Sequence, residues 1–469
     1  VLMAYSVIFL FTYCYMNSSE TLMLFYKFLI AGIAVISFIG VMQSVGMDFF
    51  GSGTGKKLIT MFSDIDADRV SLKFEAGRVY MTLYNPNYVG SYVVLVLPVV
   101  ISGLVIFNKA WQKAACVAVA LMLVICLVGS WSTTGITAAI ISAVIYFAVM
   151  IAASSFGYKK IITAAAVTFL IAAAMVFVNF DRVKEAVSKY SMAEDNFDIN
   201  EMELADNGVV IDYRGASVRM ECSYAADESV LTVYDGNDTE FSLVACDDNG
   251  GMAIEGDDFY SALVFGRVRL NDDTRGFYVK CSDKTFAFTN DNDEGKYMYY
   301  NPYGKKVDDV VNSRGALFDN YESFASARGF IWSRTIPLLA DHLIAGCGPD
   351  NFVYEFPNND YLSLINNGYY GEVVTRPHNM YLQTGVQTGA LSLVLFILIY
   401  MIYFIQSIRI YSKKSESKAL WIMGVSIMAG TSGYMICGFA NDSTVCVAPV
   451  FWGMLGMGYA CNYLMKGRL

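Results

Sequence analysis

Arg376-Pro377-His378-Asn379-Met380-Tyr381-Leu382-Gln383 runs without a break into an apolar stretch that includes Leu391, Leu393 and Phe396. A long polar segment, 181–377, re-enters an apolar phase at this point. Pro377 disfavours the helical region for Arg376, and Asn379 suits the N-cap of a helix running on through the apolar stretch. His378, one of two histidines in the chain, is then expected just outside a helix N-terminus. The partial positive charge there favours anions and a neutral imidazole able to accept a proton. Gln383 lies one turn after Asn379 on the same face. An arginine, a neutral base and two amides at a membrane surface suit chemistry on an anionic, lipid-linked substrate.

The composition is that of an integral membrane protein: 55% hydrophobic and 16% charged. Apolar runs long enough to cross the bilayer as helices are predicted near 1–14, 22–43, 88–107, 114–130, 134–153, 160–179, 384–407, 419–438 and 446–465. Lys109 and Lys113, then Lys159 and Lys160, then Arg409, Lys413, Lys414 and Lys418, then Lys466 and Arg468 fall on alternate connections. The positive-inside rule makes those connections cytoplasmic, which puts 44–87, 180–380 and 439–445 outside. The segment 181–377 holds 35 acidic and 17 basic residues, a net of −18, while the remainder carries +8 and the chain −10. The acidity thus belongs to the outer segment. The predicted organisation is an N-terminal membrane bundle of six spans over 1–179, an extracytoplasmic β-rich insert over 180–320, an extracytoplasmic helical loop over 321–380, and three C-terminal spans over 381–469 ending in the cytoplasm. Nine spans with that ending place Val1 outside, in the middle of an apolar run, so further helices are expected upstream. The first run lacks the charged start and cleavage site of a signal peptide.

Several polar clusters carry candidate chemistry. Asp64, Asp66 and Asp68 alternate in the first outer loop, either as chelators of a hard cation or as a solvated loop, since no glycine or distal glutamate completes a calcium loop. Arg78 lies about ten residues before a span, within reach of the interface, as a headgroup anchor or a ligand contact. Asn85-Pro86 reads as a turn before a helix capped near Asn87. The hydroxyls of Gly129-Ser130-Trp131-Ser132-Thr133-Thr134-Gly135 either cap the next helix or bind sugar or phosphate. Short β-prone runs such as Val230–Tyr234 and Thr285–Phe288, punctuated by Asp-Gly and Asn-Gly-Gly, predict a small antiparallel β-domain. Asp291-Asn292-Asp293 has a DxD form, but it sits in a turn-rich string outside the cell, where nucleotide sugars are absent. Helical spacing resumes at Phe324, Ala327, Arg328, Ile331, Trp332, Thr335, Ile336 and Leu339, an amphipathic helix with Arg328 on its apolar face. A charge on that face needs a phosphate or carboxylate partner; Arg334 lies off the face and reads as ordinary. His342 reads as structural. Among ten cysteines, Cys222, Cys246 and Cys281 allow one outer disulfide. No CxxC pair or Cys/His spacing suggests a structural zinc site.

Three stretches in this order resemble the O-antigen ligase and polymerase family of membrane glycosyltransferases. They are Arg328-Gly329-Phe330-Ile331-Trp332 with Gly346-Cys347-Gly348-Pro349-Asp350-Asn351-Phe352, then His378-Asn379-Met380-Tyr381-Leu382-Gln383, and the Arg78–Asn87 segment ahead of a span. The resemblance covers the bundle and 321–395 and leaves out the β-rich insert. It implies a GT-C-like helical bundle and transfer of a glycan from a polyprenyl-diphosphate carrier to an acceptor hydroxyl on the outer face, with inversion and without metal or cofactor. It implies His378 as base and Arg78 and Arg328 as diphosphate contacts. Arg376 joins them from its place beside His378, and Asn379, Gln383 and Trp332 are supporting residues. The chain departs from many relatives at Thr133-Thr134-Gly135, where they have Ser-Arg-Gly. The expected partners are the lipid-linked donor, a glycan, lipid or protein acceptor, and membrane lipids, with no nucleic acid.

Two other classes compete with this reading. One is a carboxylate-based, cation-dependent transferase built on Asp64, Asp66 or Asp68. The other is a glycolipid transporter or flippase, or a membrane receptor with an outer β-domain. Transporters place charges inside broken spans, whereas nearly all charges here lie outside the apolar runs.

Overall fold

The computed structural model describes residues 2–71, 74, 77–152, 194–225, 228–246, 250–271, 273–413, 415 and 417–466. The chain divides into two compact units: Val1–Ser188 with His378–Thr384 and Leu391–Leu469, and Lys189–Pro377 with Gly385–Ala390.

The described part of the first unit is helical. In chain order it contains α1 (Leu2–Tyr15), α2 (Ser19–Ser44), α3 (Gly53–Thr60), α4 (Pro86–Ile106), α5 (Ala110–Ser130) and α6 (Thr133–Ala152). Among the described residues, five helices of the chain are long and apolar enough to cross a membrane. They are α2, α4 and α5 with two C-terminal helices, Ala390–Tyr411 and Lys418–Cys437. Shorter apolar helices cover Met3–Tyr15 and Thr133–Val149, and a further helix spans Ala448–Lys466. The predicted run 160–179 lies outside the described residues. The molecule is therefore a polytopic helical membrane protein with a β-rich region.

Packing sorts these helices by environment. Windows of α4 and of Lys418–Cys437 are 72% and 94% buried, against 28% for α2 and 22% for Ala390–Tyr411. Apolar helices with so little protein around them are built to face lipid. The two central helices touch backbone to backbone, because a Cβ on Gly430 would overlap the Leu95 carbonyl and one on Gly433 the Val94 side chain. Small residues permit this approach where no water-driven force assembles helices. Gly90 and Gly135 do the same for α4 and α6. Asn85 caps α4, its Oδ1 accepting from Asn87 N at 2.8 Å. The cap stands two residues ahead of the expected position because Pro86, with no N–H to satisfy, fits the first helical turn. In the hydroxyl-rich turn Ser132 Oγ accepts from Gly135 N at 3.1 Å, capping α6.

The second unit carries two antiparallel sheets. The first has β1 (Ile199–Ala205), β2 (Gly208–Tyr213), β3 (Ala216–Ala225) and β4 (Glu228–Tyr234) in sequence order. The second runs from β5 (Leu243–Ala245) through β6 (Met252–Ile254), β7 (Leu263–Arg269), β8 (Arg275–Cys281), β9 (Lys284–Thr289) and β10 (Met298–Tyr300) to β11 (Lys306–Val307), each strand beside its sequence neighbour. Alternation along the strands puts Val209, Ile211 and Tyr213 with Phe265, Phe277 and Phe288 in one core. The same core takes Leu362 and Ile365, and Asn366 donates to the Ile199 carbonyl at 2.9 Å. The β-strands and the segment that follows them thus fold together. Cys222 and Cys281 are buried in this core, and no described cysteine is disulfide-bonded. The outer disulfide that Cys222, Cys246 and Cys281 allowed is not formed. Asp291 of the DxD string pairs with Arg275 at 3.0 Å, and that guanidinium holds its carboxyl below the usual range. Asn292 closes the same turn by accepting from Glu294 N and Lys296 N.

The remaining helices are α7 (Phe324–Asp341), α8 (Phe352–Glu355), α9 (Tyr361–Asn366), α10 (Met380–Thr388), α11 (Ala390–Tyr411), α12 (Lys418–Cys437) and α13 (Ala448–Lys466). In α7, Ala325, Ser326 and Ala327 have positive φ, so regular helix begins only after them. The expected face is buried at Ile331, Trp332 and Thr335, but Phe330, Ser333 and Arg334 on the other sides are buried too, so this turn is enclosed all round. Arg334, expected to be ordinary, is 7% exposed and pairs with Asp319 at 2.7 Å and Glu322 at 2.5 Å, with Asp360 at 4.0 Å. Burial pushes the Glu322 carboxyl up, against the pull of Arg334. A buried guanidinium satisfied on several sides is consistent with the planar donor fork of arginine.

Candidate functional site

The turn before α10 is built locally, as its sequence predicts. Asn379 Oδ1 accepts from Tyr381 N at 2.9 Å and from Leu382 N at 3.1 Å, which caps the helix. His378 has φ +48°, a left-handed conformation uncommon for a residue with a side chain. Its neighbours in the chain are each hydrogen-bonded within their own unit. Trp332 Nε1 donates to the Pro377 carbonyl at 3.0 Å, with Phe318 and Phe324 edge-on to the indole. Met380 N, on the other side, donates to the Gly438 carbonyl at 2.7 Å.

The partner of this turn is the loop between α12 and α13. Asn379 Nδ2 donates to the Phe439 carbonyl at 3.0 Å. Gln383 Oε1 accepts from Ser443 N at 2.7 Å and its Nε2 donates to the Ser443 carbonyl at 3.3 Å. Asn441 Nδ2 donates to Ser91 Oγ at 3.0 Å, tying the loop to α4. Both predicted amides therefore position backbone. Between them Asp442 is aimed at the histidine, with His378 Nδ1 and Asp442 Oδ2 3.0 Å apart. An ionised carboxylate only accepts, so Nδ1 carries the proton and Nε2 keeps its lone pair. The Asp442 side chain is fully buried and the His378 side chain 48% exposed. Asp442 Oδ1 is buried without a hydrogen-bond partner. A carboxylate with so little compensation is well placed to stabilise a proton arriving on the ring.

Asp442 is the candidate site residue that sequence reading missed. One signal was available: Asp442 and Glu416 are the only acidic residues after His378, and Glu416 lies in the basic connection after α11.

The predicted arginines fall in different settings. Arg78 belongs to the first unit, stacked over Trp131 at 5.2 Å from the ring centroid, with its buried Nε lacking a hydrogen-bond partner. The backbone beside it is fixed by Val79 N donating to the Gly129 carbonyl at 2.9 Å. Arg328 and Arg376, like Trp332, belong to the second unit, and both are half-buried. Arg328 Nη1 donates to the Ala325 carbonyl at 3.0 Å, and its Nε is buried without a partner. Arginines with unused donors are suited to anionic ligands.

The motif glycines have a packing reason. A Cβ on Gly329 would overlap the Tyr321 carbonyl, and one on Gly346 the Gln387 backbone. Cys347 N and Gly348 N then reach the Val386 and Gln387 carbonyls at 3.0 and 3.1 Å. The glycine loop therefore seals the C-terminal end of α10. His342 lies 3.3 Å from Glu355, and the Asp64, Asp66 and Asp68 side chains are exposed. Among the described residues no group of three or more His, Cys, Asp or Glu side chains gathers as ligands.

Residues 296–397 match the family model described as O-antigen ligase. That segment is similar to the O-antigen ligase family. The O-antigen ligase match takes in Arg328, Trp332, Arg376, His378, Asn379 and Gln383, and leaves out Arg78 and Asp442. It begins at Lys296, just before β10, so the resemblance reaches further into the β-rich segment than the motifs suggested. No curated protein and no solved structure matches the chain. The match points to an integral membrane enzyme of the glycan-transferase type, from a family that implies a polyprenyl-linked glycan donor and an acceptor.

Proposed function

We propose that this protein transfers an oligosaccharide or polysaccharide from a polyprenyl-diphosphate carrier to an acceptor hydroxyl on the outer face of the cytoplasmic membrane, as a polymerase or ligase of surface polysaccharide. The observation that carries the reading is the His378–Asp442 pair: a half-exposed imidazole whose Nδ1 is held at 3.0 Å by a buried carboxylate. His378 Nε2 takes the acceptor proton as the acceptor oxygen bonds to the anomeric carbon. The bond from that carbon to the diphosphate breaks, its electron pair leaves with the diphosphate, and in-line attack inverts the centre. A positioned base of this kind contributes about 10²–10⁴-fold. Arg78, Arg328 and Arg376 meet the negative charge of the leaving group, the task for which preorganised guanidinium donors are suited. Asn379 and Gln383 fix the base through its partner loop, and Trp332 supports the residue before it by its hydrogen bond to the Pro377 carbonyl. The assignment keeps the nine-span topology, with the 180–380 segment outside and the C-terminus in the cytoplasm.

His378→Ala tests the base. Purified variant in vesicles with labelled lipid-linked glycan is expected to form no product while keeping the wild-type melting profile. Full activity would refute the role. Wild-type activity is expected to persist in EDTA; its loss would turn attention to Asp64, Asp66 and Asp68.

A further inference from the structure

The segment after α2 is apolar where it meets solvent. Met47, Phe49, Leu58, Ile59, Met61 and Phe62 are all exposed, Phe62 to 94%. The same stretch is folded. Asp48 Oδ1 accepts from Phe50 N, and Ser52 Oγ caps α3 by accepting from Gly55 N at 3.1 Å. Gly55 packs so closely on Phe49 and Phe50 that a Cβ would overlap their backbone. The segment is also pinned to the bundle. Tyr80 OH donates to Asp48 Oδ2 at 2.6 Å, while Gln43 Oε1 accepts from Met81 N at 2.7 Å and Nε2 donates to the Met81 carbonyl at 3.1 Å.

A folded element with this surface has a partner. Its place in the chain names one, because it begins three residues after α2, a lipid-facing helix long enough to span. Lys56 and Lys57 stand in α3 just before the apolar side chains. Basic stems beside an apolar face are the pattern of a helix lying in the plane of the lipid interface. The acidic Asp64, Asp66 and Asp68 follow the apolar stretch and are exposed, so they mark its water-facing end. We infer that residues 47–62 are embedded in the headgroup–acyl boundary of the bilayer, with the two lysines at lipid phosphates.

Photocrosslinking of the full chain in phospholipid vesicles tests this. p-Benzoylphenylalanine replaces Phe62 in one sample and Asp238, a β-domain side chain 79% exposed, in another. After irradiation, phospholipid adducts on each peptide are measured by mass spectrometry. Position 62 is expected to give roughly fivefold more lipid adduct than position 238, as insertion of the apolar face requires. Equal yields would overturn the inference, and so would adducts at 62 made mainly to a second copy of the chain. Lipid adducts do not depend on glycan transfer, so failure of the proposed function would leave this result unchanged.

Discussion

Asp442→Asn removes one charge and keeps the side-chain shape. At 3.0 Å the attraction between a carboxylate and an imidazolium is about 5–6 kcal/mol at an effective dielectric of 20. The ring is 48% exposed, and water screens part of that attraction, leaving about 3 kcal/mol. That energy acts when the ring has taken the acceptor proton, so it stabilises the transition state and is equivalent to about a hundredfold in rate. An asparagine that turned its amide N–H toward Nδ1 would move the ring proton to Nε2 and abolish the base, and the loss would then approach about 10⁴-fold. Folding is expected to change little, since the variant also removes a buried carboxylate oxygen that has no partner. The assay is the initial rate of glycan transfer from lipid-linked donor in vesicles, for Asp442→Asn, His378→Ala and the double variant. The double variant should be no slower than His378→Ala alone, because the carboxylate then has nothing to orient. A single Asp442→Asn within about threefold of wild type would refute the argument, given that a pair this close should contribute more. So would full additivity in the double variant.

Three further outcomes follow from packing and charge. Gly346→Ala must push a Cβ into the Gln387 backbone, at about 1–3 kcal/mol, read as a lower melting temperature in detergent together with lost transfer. Arg334→Ala leaves the buried Glu322 without its cation, a loss of about 3–5 kcal/mol, whereas Arg334→Met with Glu322→Gln should recover part of the stability in the same melting experiment. Asp291→Asn breaks a pair about one-third exposed on both sides and should cost about 0.5–1 kcal/mol. The Asp291 carboxyl is held low by Arg275, so its contribution is present above the unfolded value of about 3.9 and disappears as pH falls through the lower folded value. Hydrogen exchange over 275–291 in the whole protein should therefore show wild type approaching the variant only in strong acid.

The sequence by itself determined the features that depend on neighbours along the chain. Apolar runs of spanning length set the helices, and alternating β-prone runs with turn residues set the sheets. The cap at Asn379 needs only a side-chain oxygen and the amide groups of Tyr381 and Leu382, so it could be read directly. The cap at Asn85 was misplaced by two residues because the proline after it was assigned to the turn instead of the helix. Arg334 was misjudged because a helical wheel gives the side away from Ile331, Trp332 and Thr335 to solvent, whereas Ser333 and Arg334 on that side are buried as well. The carboxylates that surround it, Asp319, Glu322 and Asp360, come from segments a wheel does not contain. The tertiary structure alone decided the partner of His378. Asp442 stands 64 residues away, across two membrane helices. Nothing in local spacing joins the two residues. They meet because the amides of Asn379 and Gln383 fasten their turn to the loop after α12, which Asn441 in turn ties to α4. The stretch from Arg376 to Gln383 thus supplied the proposed base, and long-range packing supplied the carboxylate beside it.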